Sequence, residues 1–251
     1  MSDLPFHEIS SQLAFLGPPL EQGPLPSLFY LSLSCQDSLL LDPFNQMPAY
    51  VSQFPLRIFS LTLPFHEKPL SPLKALESWA QEIQKGNDIL APFLDQIENA
   101  LFFLQKEGAL IPEKLAISGL SRGVFFALHI AAKIPSFRTI LGFAPLLSLS
   151  LAKEFLNTPL PQHLESPRLI PLLTNRSLRF YIGNLDTRVG TSHCFHFVEK
   201  LSQAAYLQGI RSPPIELIIT PSIGRDGHGT SQQIFEQGGK WLLQQLGFSD
   251  V

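Results

Sequence analysis

The chain has 251 residues, 45% of them hydrophobic, and a formal net charge of -3. That length suffices for one domain with a sizeable core, and a slightly acidic balance without a basic cluster gives no electrostatic reason to expect DNA, RNA or anionic lipid as a partner. No run reaches the roughly 18 apolar residues that span a bilayer, and two cysteines, Cys35 and Cys194, make no disulfide framework, which predicts reduced thiols in a cytoplasmic protein.

In chain order, the opening MSDLPFHEIS carries Asp3 and Glu8 and no positive region followed by an apolar stretch, so no cleaved leader is expected. The first strand-like run is SLFYLSLS at 27–34, leading into Ser34-Cys35-Gln36-Asp37, and the second is LRIFSLTL at 56–63, followed by His66. Helical periodicity covers 72–85 and 88–106; in the latter, Ile89, Phe93, Ile97, Leu101 and Leu104 share a face at spacings of three and four. Four further runs, at 114–118, 139–144, 178–183 and 215–220, are strand-length, rich in Leu, Ile and Phe, and bounded by Pro, Gly or polar residues. The proline-bearing segment 147–177 holds no convincing strand and reads as an excursion with a short helix near Leu151–Leu156, either over a pocket or as a plain surface loop. Residues 192–208 and 231–246 complete the helices, the last docking through Trp241, Leu242 and Leu246. Strands alternating with helices predict an α/β fold: one domain over 1–251, with a mainly parallel sheet of roughly six to eight strands and helices on both faces.

Gly119-Leu120-Ser121-Arg122-Gly123 lies where the strand run at 114–118 meets a helical run, which is the context that a G-x-S-x-G nucleophile elbow requires. An ordinary glycine corner would share the pattern. The elbow has its own reason: the serine must sit in a tight turn with unfavourable backbone angles, and small neighbours relieve the crowding. The following helix aims its first N–H groups at the position where an oxyanion would form. A serine hydroxyl also needs a base and a group to orient that base. Asp186 follows the strand run at 178–183 by three residues, and His228, between Gly227 and Gly229, precedes the last helix. Loops at the carboxyl ends of parallel strands are where such sheets assemble sites. Asp226 competes as the acid, but it lies two residues from His228 and so close a neighbour rarely reaches round to orient the ring; Asp186 is favoured.

These residues resemble the α/β-hydrolase superfamily, and most closely its dienelactone-hydrolase and prolyl-oligopeptidase-like branch. The resemblance rests on G-L-S-R-G at 119–123, G-N-L-D-T-R-V at 183–189 and G-H-G at 227–229, and the order of elements agrees with it from about residue 27 to 247. It implies Ser121 as nucleophile, His228 as base and Asp186 as orienting acid. The superfamily often carries His-Gly after the third strand, where a backbone N–H completes the oxyanion hole; this chain reads Ser34-Cys35-Gln36-Asp37 instead. The N–H of Arg122 is the expected first donor, and that of Cys35 or Gln36 the second.

Other residues admit two readings. His193, Cys194 and His196 crowd together but lack the third or fourth ligand and spacing of a zinc site, so no metal is expected. His66 and His129 read as structural. Cys35 lacks an elbow and reads as a small buried apolar residue rather than a nucleophile. Arg122 and Arg188 could hold an acidic substrate group or pair with surface carboxylates. The expected activity is hydrolysis of a carboxylic ester of small or medium size through an acyl-serine, with no cofactor. An acylpeptide-type peptidase or a thioesterase would use the same residues, and a non-catalytic binding protein could keep the fold.

Overall fold

A computed structural model describes residues 5–249; Asp3, used above against a leader, lies outside them. Among the described residues, eight strands form one sheet: β1 (Phe6–Ser10), β2 (Leu13–Leu16), β3 (Leu25–Leu31), β4 (Arg57–Leu61), β5 (Leu110–Leu120), β6 (Thr139–Phe143), β7 (Ser177–Gly183) and β8 (Ile215–Thr220). Their order is β1-β2-β4-β3-β5-β6-β7-β8. β1 and β2 pair antiparallel and β2 runs antiparallel to β4, while every pairing from β4 across to β8 is parallel.

Helices cover both faces, and the period of two along each strand decides which side chain meets which layer. The helices are α1 (Cys35–Leu40), α2 (Gln46–Val51), α3 (Ala75–Gln84), α4 (Ala91–Lys106), α5 (Arg122–Lys133), α6 (Ile170–Leu173), α7 (Thr191–Leu207) and α8 (Gln232–Gln245). Phe29 and Leu31 of β3 join Phe59 of β4 and Ile117 of β5 in a core with Trp79, Phe93, Phe125, Phe126 and Leu201 from α3, α4, α5 and α7. Leu28 and Tyr30 face the other way, into a core with Leu39, Met47, Val51, Phe235 and Leu242 from α1, α2 and α8. Burying each such side chain is worth about 1.5–3 kcal/mol relative to leaving it exposed. The predicted face of the second long helix is buried throughout, from Ile89 to Leu104, and so is the Trp241, Leu242, Leu246 face of α8.

Several elements depart from expectation. β1, β2, α1, α2 and α6 were not anticipated; each spans only four to six residues, too few for a period to stand out. Ser34, expected in a loop, caps α1 by accepting from the Asp37 N–H at 3.0 Å. Residues 149–155 form two 3₁₀ turns, not one helix. Arg57 is wholly buried on β4, its guanidinium donating to the carbonyls of Pro18, Gly23 and Ala109, each at 2.8 Å, and to that of Pro19. It ties the chain ahead of β3 and β5 to the sheet.

Candidate active site

β5 ends at Leu120 and α5 begins at Arg122, so Ser121 alone makes the turn. Its backbone takes φ 54° and ψ -115°, a conformation that costs an L-residue about 1–3 kcal/mol. Strand β6, helix α5 and the chain after β6 hold it: the Ser121 N–H donates to Phe143 O at 2.8 Å, and Ser121 O accepts from Val124 N at 3.0 Å and Leu146 N at 3.2 Å. Gly123 lets α5 close on β3, since a Cβ there would stand 1.9 Å from Leu31 O.

The loop after β8 brings His228 to this corner. Ser121 Oγ lies 2.8 Å from His228 Nε2, and His228 Nδ1 lies 2.8 Å from Asp186 Oδ2. The imidazole is 12% exposed and the carboxylate fully enclosed. With Nδ1–H donating to the carboxylate, Nε2 is left as the acceptor for the serine hydroxyl. Asp186 Oδ1 also accepts from the N–H groups of Arg188 at 3.0 Å and Val189 at 3.1 Å, so three donors offset the desolvation of its charge.

Residues given no role in the sequence reading fix these loops. Asn184 Oδ1 accepts from Ser222 N at 3.0 Å and Ser222 Oγ from Leu185 N at 2.6 Å, clamping the histidine loop to the end of β7. Thr191 Oγ1 accepts from Asp186 N at 3.0 Å and donates to Gly183 O at 2.6 Å. Gly227, at φ 70°, is needed because a Cβ would meet Leu185 O at 2.1 Å. Asn184 stands inside the G-N-L-D-T-R-V stretch, which was the available signal; Ser222 and Thr191 carried none, since their partners are distant in sequence or are backbone atoms.

The competing residues fall elsewhere. Asp226 is exposed, its Oδ2 is 3.7 Å from Arg225 Nε, and it meets the β7 loop only through its carbonyl, which accepts from Thr187 N at 2.9 Å. Cys35 is buried and desolvation pushes its thiol pKa up, which disfavours the nucleophilic thiolate. Its N–H, expected as an oxyanion donor, donates to Thr62 Oγ1 at 3.0 Å and is engaged within the protein. Arg122, first residue of α5, has no intrahelical acceptor for its N–H. On α7, Cys194 is buried while His193 and His196 are exposed, and among the described residues no three His, Cys, Asp or Glu side chains group as metal ligands.

His66 is buried, with Nδ1 2.9 Å from Pro64 O and Nε2 3.2 Å from Arg122 Nη1. Burial, reinforced by the Arg122 charge, lowers its pKa to about 4, so the ring is neutral and accepts from the guanidinium. His129 packs on Phe125 with ring centroids 4.6 Å apart, and burial lowers its pKa to about 4.

Residues of the excursion after β6 line two cavities together with the loop after β7 and with α7. One, of about 420 Å³, is lined by Leu151 and by Asn184 to His193. Another, of about 250 Å³, shares Leu151 and His193 and reaches Ser148, Glu165 and Lys200. Gln84 Nε2 donates to Thr158 Oγ1 at 3.0 Å and His163 Nε2 is 3.1 Å from Asp88 Oδ2, fastening the excursion to the region of α3 and α4.

No family model and no curated protein matches the chain. Among solved structures, it is similar to one named as a dipeptidyl aminopeptidase IV from Bacteroides ovatus, with TM-score 0.71, 12% identity and 97% of this chain covered; the chain spans 35% of that one. It is also similar to one named as a dienelactone hydrolase from Klebsiella pneumoniae, with TM-score 0.65 and 13% identity over 96% of this chain and 97% of the other. A cold-adapted esterase from an Arctic intertidal metagenomic library gives TM-score 0.64 and 16% identity, over 93% and 87%. With the sheet order above, these likenesses show the α/β-hydrolase fold.

Proposed function

We propose that this α/β-hydrolase-fold chain is a serine hydrolase that cleaves a carboxylic ester through an acyl-serine intermediate. The observation that carries the reading is the unbroken row from Ser121 Oγ through His228 to Asp186, with both links at 2.8 Å. The names of the similar structures, an esterase, a dienelactone hydrolase and a dipeptidyl aminopeptidase, support a hydrolase in general terms.

In this mechanism His228 Nε2 takes the Ser121 proton as Oγ attacks the ester carbonyl. Asp186 holds the Nδ1–H tautomer and stabilises the imidazolium that forms. The Arg122 N–H donates to the oxyanion, a contribution of about 3 kcal/mol in comparable sites. The Cys35 N–H would have to leave Thr62 to serve as a second donor. Collapse expels the alcohol, which receives the proton from His228. Water, deprotonated by the same nitrogen, then attacks the acyl-serine, and its collapse releases the acid and restores Ser121.

A fluorophosphonate probe tests the reading. It should label the protein at Ser121 and fail to label Ser121→Ala, and kcat on short aryl esters should fall roughly 10⁴–10⁶-fold in that variant. Labelling that persists in Ser121→Ala would eliminate the serine as the reactive group. Absence of both labelling and turnover would favour a binding scaffold. Acyl-peptides and acyl-thioesters run alongside would separate the peptidase and thioesterase readings, the former drawing on the name of the Bacteroides ovatus structure.

A further inference from the structure

The side chain of Arg122, whose backbone follows the proposed nucleophile, is half-buried. Its Nη1 donates to Pro72 O at 2.8 Å and to His66 Nε2 at 3.2 Å, both neutral acceptors. Nε and Nη2 have no hydrogen-bond partner among the described residues, and neither is sealed from solvent. The charge is uncompensated too: among the described residues, no carboxylate pairs with Arg122 or Arg188. Arg179, by contrast, is matched by Glu216 and Arg57 by carbonyls. Arg188 lies on the loop after β7, where its N–H is held 3.0 Å from Asp186 Oδ1, and it lines the larger cavity with Leu151.

Burial, then the nearby Arg188 charge, lowers the Arg122 pKa to about 10, against a smaller opposing effect of Glu154. Arg122 heads α5 directly after Ser121, and Arg188 follows Asp186 by two residues, so the two cations flank the Ser121–His228–Asp186 row, and Arg188 lines the cavity. A desolvated cation without a counter-ion is unfavourable, and a planar fork with free N–H groups matches a carboxylate bidentately.

We infer that Arg122 and Arg188 bind an anionic group of the substrate, so that the preferred ester carries a carboxylate on its acyl or its alcohol part. This rests on Ser121 being the nucleophile of that ester. The pair fixes the ester by its charged end while leaving the oxyanion donor on the Arg122 backbone free. An anion also enters a cationic cleft faster than its neutral analogue, an advantage that salt removes.

Two matched ester pairs test this. The 4-nitrophenyl hemiester of glutaric acid is compared with its methyl-capped diester, and 4-acetoxybenzoate with methyl 4-acetoxybenzoate. The anion should be preferred in at least one pair, by roughly 10–100-fold in kcat/KM, and the pair that shows it identifies the charged side of the ester. Arg122→Gln and Arg188→Gln should each collapse that ratio; the exposed Arg188 makes the second variant safe for folding. Equal or faster turnover of the neutral ester in both pairs, or a ratio that survives both substitutions, would overturn the inference. A direct measurement separates its failure from that of the serine mechanism. Ser121→Ala should bind glutarate or 4-acetoxybenzoate by calorimetry, and Ser121→Ala with Arg188→Gln should bind at least tenfold more weakly. If no ester is turned over, such binding still upholds the anion site; if Ser121→Ala binds neither anion, the site is refuted whatever the activity.

Discussion

Ser121 is held in a conformation that costs free energy, and its neighbours show why it persists. Its φ of 54° is fixed by the bond to Phe143 O and by the close seat of Gly123 against β3. A side chain at 123 must push α5 off Leu31, so Gly123→Ala should destabilise the fold by about 3 kcal/mol, lowering the melting temperature by roughly 6–12 °C. It should also slow fluorophosphonate labelling, because the hydroxyl leaves its place against His228. Calorimetry and labelling rate measured on one preparation check both, and a variant that melts with the parent would show that the close approach is soft. The oxyanion donors stand differently. Among the described residues the Arg122 N–H at the head of α5 has no acceptor, whereas the Cys35 N–H is drawn to Thr62, a pairing invisible along the chain because the two residues are 27 apart.

At the level of elements, long periodic helices and central strands match the sequence reading, and the short edge pieces do not. β1 and β2 form a hairpin on the antiparallel side of the sheet, where four or five residues carry too little pattern. The chain beside them is secured by Arg57, whose buried guanidinium satisfies carbonyls from three separate stretches. Arg57→Met keeps the apolar stem but strands those acceptors, at about 1–3 kcal/mol for each buried group left unpaired. Unfolding by urea should show a loss of about 3 kcal/mol or more, partly recovered in Arg57→Lys. A loss under about 1 kcal/mol would mean that water or small shifts replace the guanidinium. The arginine was legible only as a charge inside a strand pattern, since its acceptors are backbone atoms that carry no sequence signal.

Across the whole molecule, two buried imidazoles tie stability to pH. His66 and His129 are neutral when folded, with pKa values lowered by burial to about 4 from an ordinary value of 6.5. The unfolded chain therefore binds more protons between about pH 6.5 and 4, and stability should fall as pH drops through that window, then lose nothing more from these groups below it. Above pH 6.5 neither contributes a slope. Each can add up to about 1.4 kcal/mol per pH unit. His129 Nε2 has no partner among the described residues, so His129→Leu should flatten the acid limb without breaking a hydrogen bond through that atom. Unfolding free energies measured from pH 7 to 4 would contradict this if parent and variant ran parallel.

By itself the sequence determined the α/β class, the long helices, the central strands and the three residues worth testing, because periodic burial and glycine-flanked loops are written locally. Only the tertiary structure decided that His228 meets Asp186 and not its near neighbour Asp226, that the Cys35 N–H is engaged by Thr62, and that among the described residues no carboxylate pairs with Arg122 beside the serine. Each depends on which distant segments meet, set by how the chain at the carboxyl ends of β3, β4, β5, β7 and β8 closes on itself. Hydrogen-bond geometry and desolvation at that meeting point depend on three-dimensional packing, which local order along the chain does not encode.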